Sequence, residues 1–152
     1  MCKVCGAFSQ KNLCPTCIKK YARIKKYRAY RLKPRKRTTK HQQDLFRTVR
    51  KVLNKKYKVM QEMCFDWFPH KRYDICIPEL NIIIEYNGIQ HYRWIKFFHK
   101  TKDEFYQYQQ NDRDKIQMAQ SYGYKVIVFS YEEDVLDTNY VKDKVIKACQ
   151  KN

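Results

Sequence analysis

The run Asn81-Ile82-Ile83-Ile84-Glu85-Tyr86 constrains this chain more than any other six residues. Three consecutive β-branched side chains are stiff at χ1 and suit a pleated strand, and a run apolar on both faces reads as a buried one. It stops at Asn87-Gly88, a strong turn signal after such a run. Upstream, Asp74 opens a second short apolar segment, Tyr73 to Ile77, and Pro78 to Asn81 makes the turn between the two. A hairpin of this kind sets Asp74 and Glu85 on adjacent strands with their side chains close together. Two like charges held close in an apolar setting repel and lose hydration, so something must compensate them. A divalent cation that prefers oxygen, Mg²⁺ or Mn²⁺, is the usual compensation. A salt bridge to Arg72 or Arg93 is the plainer alternative.

The chain has 152 residues and a formal charge of +18, unevenly spread. Residues 1–40 carry fourteen Lys or Arg and no Asp or Glu, while residues 41–152 net only +4. The length allows one ordinary domain plus an appendage, and the charge divides them: an N-terminal module over 1–40 and a globular domain over 41–152. A concentrated cationic segment is expected to neutralise phosphates, with affinity that falls as salt rises. The start at Met1 is polar, and no uninterrupted apolar run approaches bilayer length. The expectation is an intracellular, cytoplasmic protein with no membrane partner.

Within the module, Cys2-x-x-Cys5 and Cys14-Pro15-Thr16-Cys17 form two CxxC pairs eight residues apart. Each pair presents two thiolates from a tight turn, and together they make a closed, structural Cys₄ Zn²⁺ site in a small ribbon or knuckle. All four positions would be filled, leaving none for a catalytic water. A redox CxxC would sit at a strand-to-helix junction that this segment does not resemble, and disulfides are disfavoured in an intracellular setting. Cys64, Cys76 and Cys149 fall among apolar residues and read as core. After the second pair, Lys, Arg and Tyr alternate with apolar residues at helical spacing, which predicts a helix from about Thr16 to Leu32, ended by Pro34. Lys19, Lys20, Arg23, Lys25, Lys26, Arg28 and Arg31, with Arg35, Lys36 and Arg37 in the following link, are the candidate phosphate contacts.

In the second domain an amphipathic helix over 41–56 precedes strands at Tyr57–Phe65, Tyr73–Ile77 and Asn81–Tyr86. A polar segment from Arg93 to Asp103 holds Trp94, Phe97 and Phe98, read as core and loop packing rather than a base-stacking platform. A helix over Glu104–Tyr122 closed by Gly123, a strand at Lys125–Phe129 and a helix over Asp134–Lys151 follow. The order is α-β-β-β-α-β-α, an α/β domain with a mixed sheet flanked by helices.

That order, with the motif Ile84-Glu85-Tyr86-Asn87-Gly88-Ile89-Gln90-His91, then Tyr92, Phe97-Phe98, Asp112-Arg113-Asp114-Lys115 and Gly123-Tyr124-x-Val126-Ile127, resembles the PD-(D/E)xK restriction-endonuclease-like superfamily. The likeness spans roughly residues 41–134 and leans toward small phage- and virus-encoded, very-short-patch-repair-like and homing-type members. It implies a metal-dependent endonuclease acting on DNA, in a host cytoplasm if the source is a phage or virus. Asp74, Glu85 and the Tyr86 backbone carbonyl would hold Mg²⁺ or Mn²⁺. Gln90 would position a phosphate or a metal-bound water, and His91 would act as general base or orient the water. The superfamily's lysine two positions after the glutamate is absent, since Asn87 stands there; Lys115 is the candidate displaced lysine. Asp44 or Gln43 matches the place of a further acidic residue on the first helix. Two other readings stay open: a nucleic-acid-binding regulator with a decayed nuclease fold, kept alive by Asn87, and a ribosome-associated zinc protein, which leaves the second domain unexplained. Oligomeric state is not legible; a monomer would nick, and a homodimer would allow paired cuts.

Overall fold

A computed structural model describes Tyr30–Arg31 and residues 38–150. Among the described residues four principal strands form a mixed sheet, and three helices cover it. In chain order the elements are β1 (Tyr30–Arg31), α1 (Lys40–Val52), β2 (Met60–Phe65), β3 (Phe68–Ile77), β4 (Ile82–Asn87), α2 (Lys102–Ser121), β5 (Lys125–Ser130) and α3 (Thr138–Gln150). The strands lie in sequence order; β1 through β4 pair antiparallel and β5 runs parallel to β4. The parallel pair needs a crossover, and α2 supplies it.

The central strand is buried on both faces, as its composition predicts: Ile82, Ile83 and Ile84 are fully inaccessible. Period-two alternation divides its side chains between two cores. Ile82, Ile84 and Tyr86 join Leu45 and Val49 of α1, Val141 and Val145 of α3, and Phe129 of β5. Ile83 faces the other way, with Tyr73, Met63, Cys76 and Ala119 of α2. Glu85 shares the parity of Ile83, which directs its carboxylate toward α2 rather than α1 and α3.

Local chemistry fixes the ends of these elements. Thr39 and Gln42 form a reciprocal capping box at the start of α1. Asn81 takes the left-handed conformation (φ 52°) that closes the turn between β3 and β4, a region Asn tolerates better than β-branched residues. Gly123 (φ 84°) ends the α2 segment in the same region, as its predicted C-cap role requires.

Several expectations need correction. β3 begins at Phe68 rather than Tyr73, because the bulged pairing with β2 extends to Phe65 opposite Phe68. The helix predicted to reach Leu32 does not include Tyr30 and Arg31, which pair antiparallel with Cys64 and Met63. There the open edge of β2 offers backbone partners to a tyrosine-containing segment suited to a strand. Cys64 and Cys76 are buried as expected, and burial pushes the Cys76 thiol up to about 12. Cys149 is exposed near the end of α3, one position past the face that buries Val141 and Val145. The Cys2, Cys5, Cys14 and Cys17 set, the candidate contacts Lys19, Lys20, Arg23, Lys25, Lys26, Arg28, Arg35, Lys36 and Arg37, and the rest of the predicted N-terminal helix lie outside the described residues. Among the described residues no helix is long and apolar enough to cross a membrane.

Candidate active site

The β3–β4 ladder pairs Ile75 with Ile84, and its register continues to Asp74 opposite Glu85. At that point side chains take over from backbone. The Asp74 amide donates to Glu85 Oε1 (3.2 Å), and the Tyr86 amide donates to Asp74 Oδ2 (2.8 Å). Each carboxylate thus grips the other's strand, which holds the two acids together despite their like charge. The acids differ in setting: Asp74 is half-buried, whereas Glu85 is buried.

Two helices complete the arrangement from opposite faces. From α1, Gln42 Nε2 donates to Asp74 Oδ1 (3.1 Å), while its Oε1 accepts from the Thr39 amide (3.0 Å). The same side chain therefore caps α1 and orients Asp74. From α2, Lys115 Nζ lies 2.5 Å from Glu85 Oε2 and 4.9 Å from the centroid of the Tyr73 ring. Tyr73 in turn donates its hydroxyl to the Lys115 carbonyl (2.9 Å), locking the helix to the strand at this level.

Electrostatics follow from burial. Loss of hydration pushes the Glu85 carboxyl up to about 8; the Lys115 ammonium pulls against this, and Asp74 adds to the rise. Burial alone would lower Lys115, but the charges of Glu85 and Asp74 outweigh it and hold the ammonium above its ordinary range.

A second pair sits one helical turn earlier on α2. His91 Nδ1 is 2.5 Å from Asp112 Oδ2. A carboxylate only accepts, so this contact assigns the proton to Nδ1 and leaves Nε2 as the basic nitrogen. Nε2 has no protein partner among the described residues. Gln109, another turn back, donates to the His91 carbonyl (3.3 Å), so Gln109, Asp112 and Lys115 line one face of α2 against the site. Gln90 folds back over Gly88: a Cβ there would meet Gln90 Nε2 at 2.9 Å, so a larger residue at 88 would push the Gln90 amide out of this place.

The structure therefore brings Asp74, Glu85 and Lys115 together, and joins His91 to the same helix. Arg72, a salt-bridge candidate for the acids, pairs instead with Glu62 (3.4 Å). Asp44 faces Arg47 (3.7 Å) and Gln43 donates to Thr38 (2.5 Å), so neither is the α1 residue that reaches the acids. That residue is Gln42. Its Thr-x-x-Gln capping spacing was visible in sequence, but its contact with Asp74 was not. Asp112 and His99 were also missed as positioning groups. His99 is buried and hydrogen-bonds through Nε2 to the Gln90 carbonyl (3.0 Å).

As a metal site the donor set is hard and anionic, which suits Mg²⁺ or Mn²⁺. Each of the four carboxylate oxygens receives one of the bonds above, leaving each a further lone pair. Among the described residues no group of three His, Cys, Asp or Glu side chains could hold a metal. Any ion here would thus be shared between two carboxylates, backbone and solvent.

No family model matches the chain, and no solved structure matches it. A stretch of 58 residues is 38% identical to "Uncharacterized protein 307L" of Invertebrate iridescent virus 6. The match covers 38% of this chain and 29% of that protein, so it spans less than a third of the viral relative's length.

Proposed function

We propose that this chain is a Mg²⁺- or Mn²⁺-dependent DNA endonuclease with a restriction-endonuclease-like core. The observation that carries the reading is the Asp74–Glu85 pair at the end of the β3–β4 ladder, with Lys115 2.5 Å from Glu85. That is the superfamily's acid–acid–lysine chemistry with the lysine supplied from α2 instead of position 87. Asp74, Glu85 and the Tyr86 carbonyl would hold the cation. When bound, it supplies charge for the scissile phosphate and lowers the pKa of water. The chain's own groups do the remainder. Gln42 fixes the Asp74 carboxylate. Lys115 favours the ionised form of Glu85 against the cost of burial and presents positive charge beside it. His91 Nε2 is disposed to accept a proton, with Asp112 holding the tautomer. The basic N-terminal module, with zinc held by its four cysteines, recruits the enzyme to DNA.

The test is incubation of the protein with supercoiled plasmid in Mg²⁺, Mn²⁺ or EDTA. Nicking or linearisation that requires the metal supports the proposal. Binding without cleavage under every condition would favour the regulator with a decayed site. The assay should also depend on pH. A cation competes with the proton on Glu85, which burial holds up to about 8. Apparent metal affinity should therefore climb between pH 6 and pH 8, by about tenfold per unit while Glu85 is mostly protonated, and level off above. A titration of activity against Mg²⁺ at each pH reads this, and a flat midpoint would detach Glu85 from the metal.

The zinc module makes a separate prediction. Cys14→Ser should lower bound zinc below one equivalent by atomic absorption and weaken DNA binding by about tenfold or more at moderate salt. The plasmid assay at low salt should be much less affected. Unchanged affinity would show that the arm does not recruit.

A further inference from the structure

The loop that leaves β4 is the least expected part of the surface. Residues 92–98 hold four large aromatic side chains, and all four are substantially exposed: Phe97 at 89%, with Tyr92, Trp94 and Phe98 between 41% and 49%. Trp94, Phe97 and Phe98 are thus surface groups, not the core and loop packing expected from sequence. Phe97 and Phe98 touch each other edge to face, with centroids 5.1 Å apart, and present one apolar knob to solvent.

The loop is nevertheless held firmly at its base. Its two ends are joined by His99, buried to 2%, whose Nε2 bonds to the Gln90 carbonyl while its ring packs on Phe105 and Tyr108. The amides of Phe98 and His99 both return to the Ile95 carbonyl (2.9 Å each). Tyr92 packs on the Tyr131 ring, tying the loop's start to the segment that follows β5. Exposing aromatic rings forgoes their burial, so a pinned loop that does so marks an interaction site.

Charge identifies the occupant. Arg93 and Lys96 are exposed between these rings and Lys100 just past them, and no Asp or Glu occurs between Tyr86 and Lys102; Glu132 and Glu133 approach only the loop's start at Tyr92. The N-terminal module, itself carrying fourteen basic and no acidic residues through position 40, would be repelled from such a surface. An anionic partner with flat apolar faces fits: nucleic acid whose bases are out of the stack. Continuous duplex shows protein its phosphates and base edges but keeps base faces covered.

We infer that the 92–98 loop is a stacking platform for unpaired bases beside the Asp74–Glu85 site, and that the substrate is DNA with a bulge, flap or junction rather than continuous duplex. This deepens the endonuclease reading and rests on it for the word substrate; the binding preference stands apart from cleavage.

The experiment compares the full-length protein with Phe97→Ala/Phe98→Ala. Both are titrated in EDTA against a duplex and the same duplex carrying a three-base bulge with 2-aminopurine at its centre. Expected are tighter binding of the bulged DNA by the parent, a change in 2-aminopurine fluorescence on binding, and loss of at least about tenfold in bulge affinity for the variant, with duplex affinity unchanged. Phe97→Trp in place of the alanine pair should retain the preference. Equal affinity of the parent for both DNAs, or an equal fall on both in the variant, would overturn the inference. So would aromatic-dependent binding to anionic phosphatidylserine vesicles without any effect on bulged DNA. Because EDTA removes cleavage, a protein that never cuts can still show the preference, and one that cuts plasmid can still lack it.

Discussion

Asp74→Asn is expected to reduce metal-dependent plasmid cleavage by about a thousandfold or more while DNA binding is retained or tightened. The charge is the reason. Asn is nearly isosteric, so it keeps the side chain's place but removes the anion that a hard divalent cation needs. The two hydrogen bonds that orient Asp74 make a second, smaller effect unavoidable. Both partners, the Tyr86 amide and Gln42 Nε2, are donors, and an amide offers only one oxygen to meet them. One donor must lose its partner, at a cost of about 1–3 kcal/mol in a partly buried setting. A Tm lowered by a few degrees with native circular dichroism is therefore compatible with the site. Cleavage within a few-fold of the parent is not, and would remove Asp74 from the chemistry. Gln42→Leu is the internal control: it leaves the charge but frees its orientation, so its loss in cleavage should fall well short of that in Asp74→Asn.

What was legible in the sequence follows how local its cause is. The strand expected over Asn81–Tyr86, the turn after Pro78 and the Gly123 cap rest on side-chain shape and backbone dihedrals within a few residues, and the structure has the turn and cap where expected and the strand one residue on, at Ile82–Asn87. The closeness of Asp74 and Glu85 follows from a short hairpin whose register the turn constrains. Other contacts depend on how helices dock, thirty or so residues away in sequence. Lys115 was a candidate through resemblance, but its partner is set by the parity of Glu85 on β4 and by the face that α2 turns to the sheet. Gln42 and Asp112 carry no local mark beyond a capping pattern and a charge run. The aromatic loop was misread because composition alone gives Phe97 and Phe98 the same signal in a core and on a knob. His99, the residue that pins the loop, shows its role only through its buried contact with Gln90.

Lys115→Met carries the second large effect, because it strips Glu85 of the cation beside it. A carboxyl that burial already pushes up to about 8 would be pushed further. In the metal-free parent this acid binds a proton more readily folded than unfolded. Its contribution is therefore fully present below about pH 4.5 and lost as pH rises through about 8, and Lys115→Met should carry that decline on to higher pH. Cleavage should fall about a hundredfold or more near neutral pH, from the lost positive charge and from the protonated Glu85. Pairing the change with Glu85→Gln separates function from stability. Either single substitution leaves one buried charge short of its partner, whereas the double replaces the pair with neutral groups. Urea unfolding at pH 8 should then show a non-additive cycle with coupling of about 1–3 kcal/mol, the double being more stable than Lys115→Met alone. Additivity would mean that the 2.5 Å contact contributes nothing in solution. The decisive variant adds Asn87→Lys to Lys115→Met, returning a lysine to two positions after the glutamate. It replaces the last residue of β4, so full recovery is not expected. A gain of about tenfold over Lys115→Met would mean that the ammonium beside Glu85 matters and that the element supplying it does not. No gain, in a variant that remains folded and binds DNA, would mean that Lys115 acts only from the face of α2 it shares with Asp112 and His91.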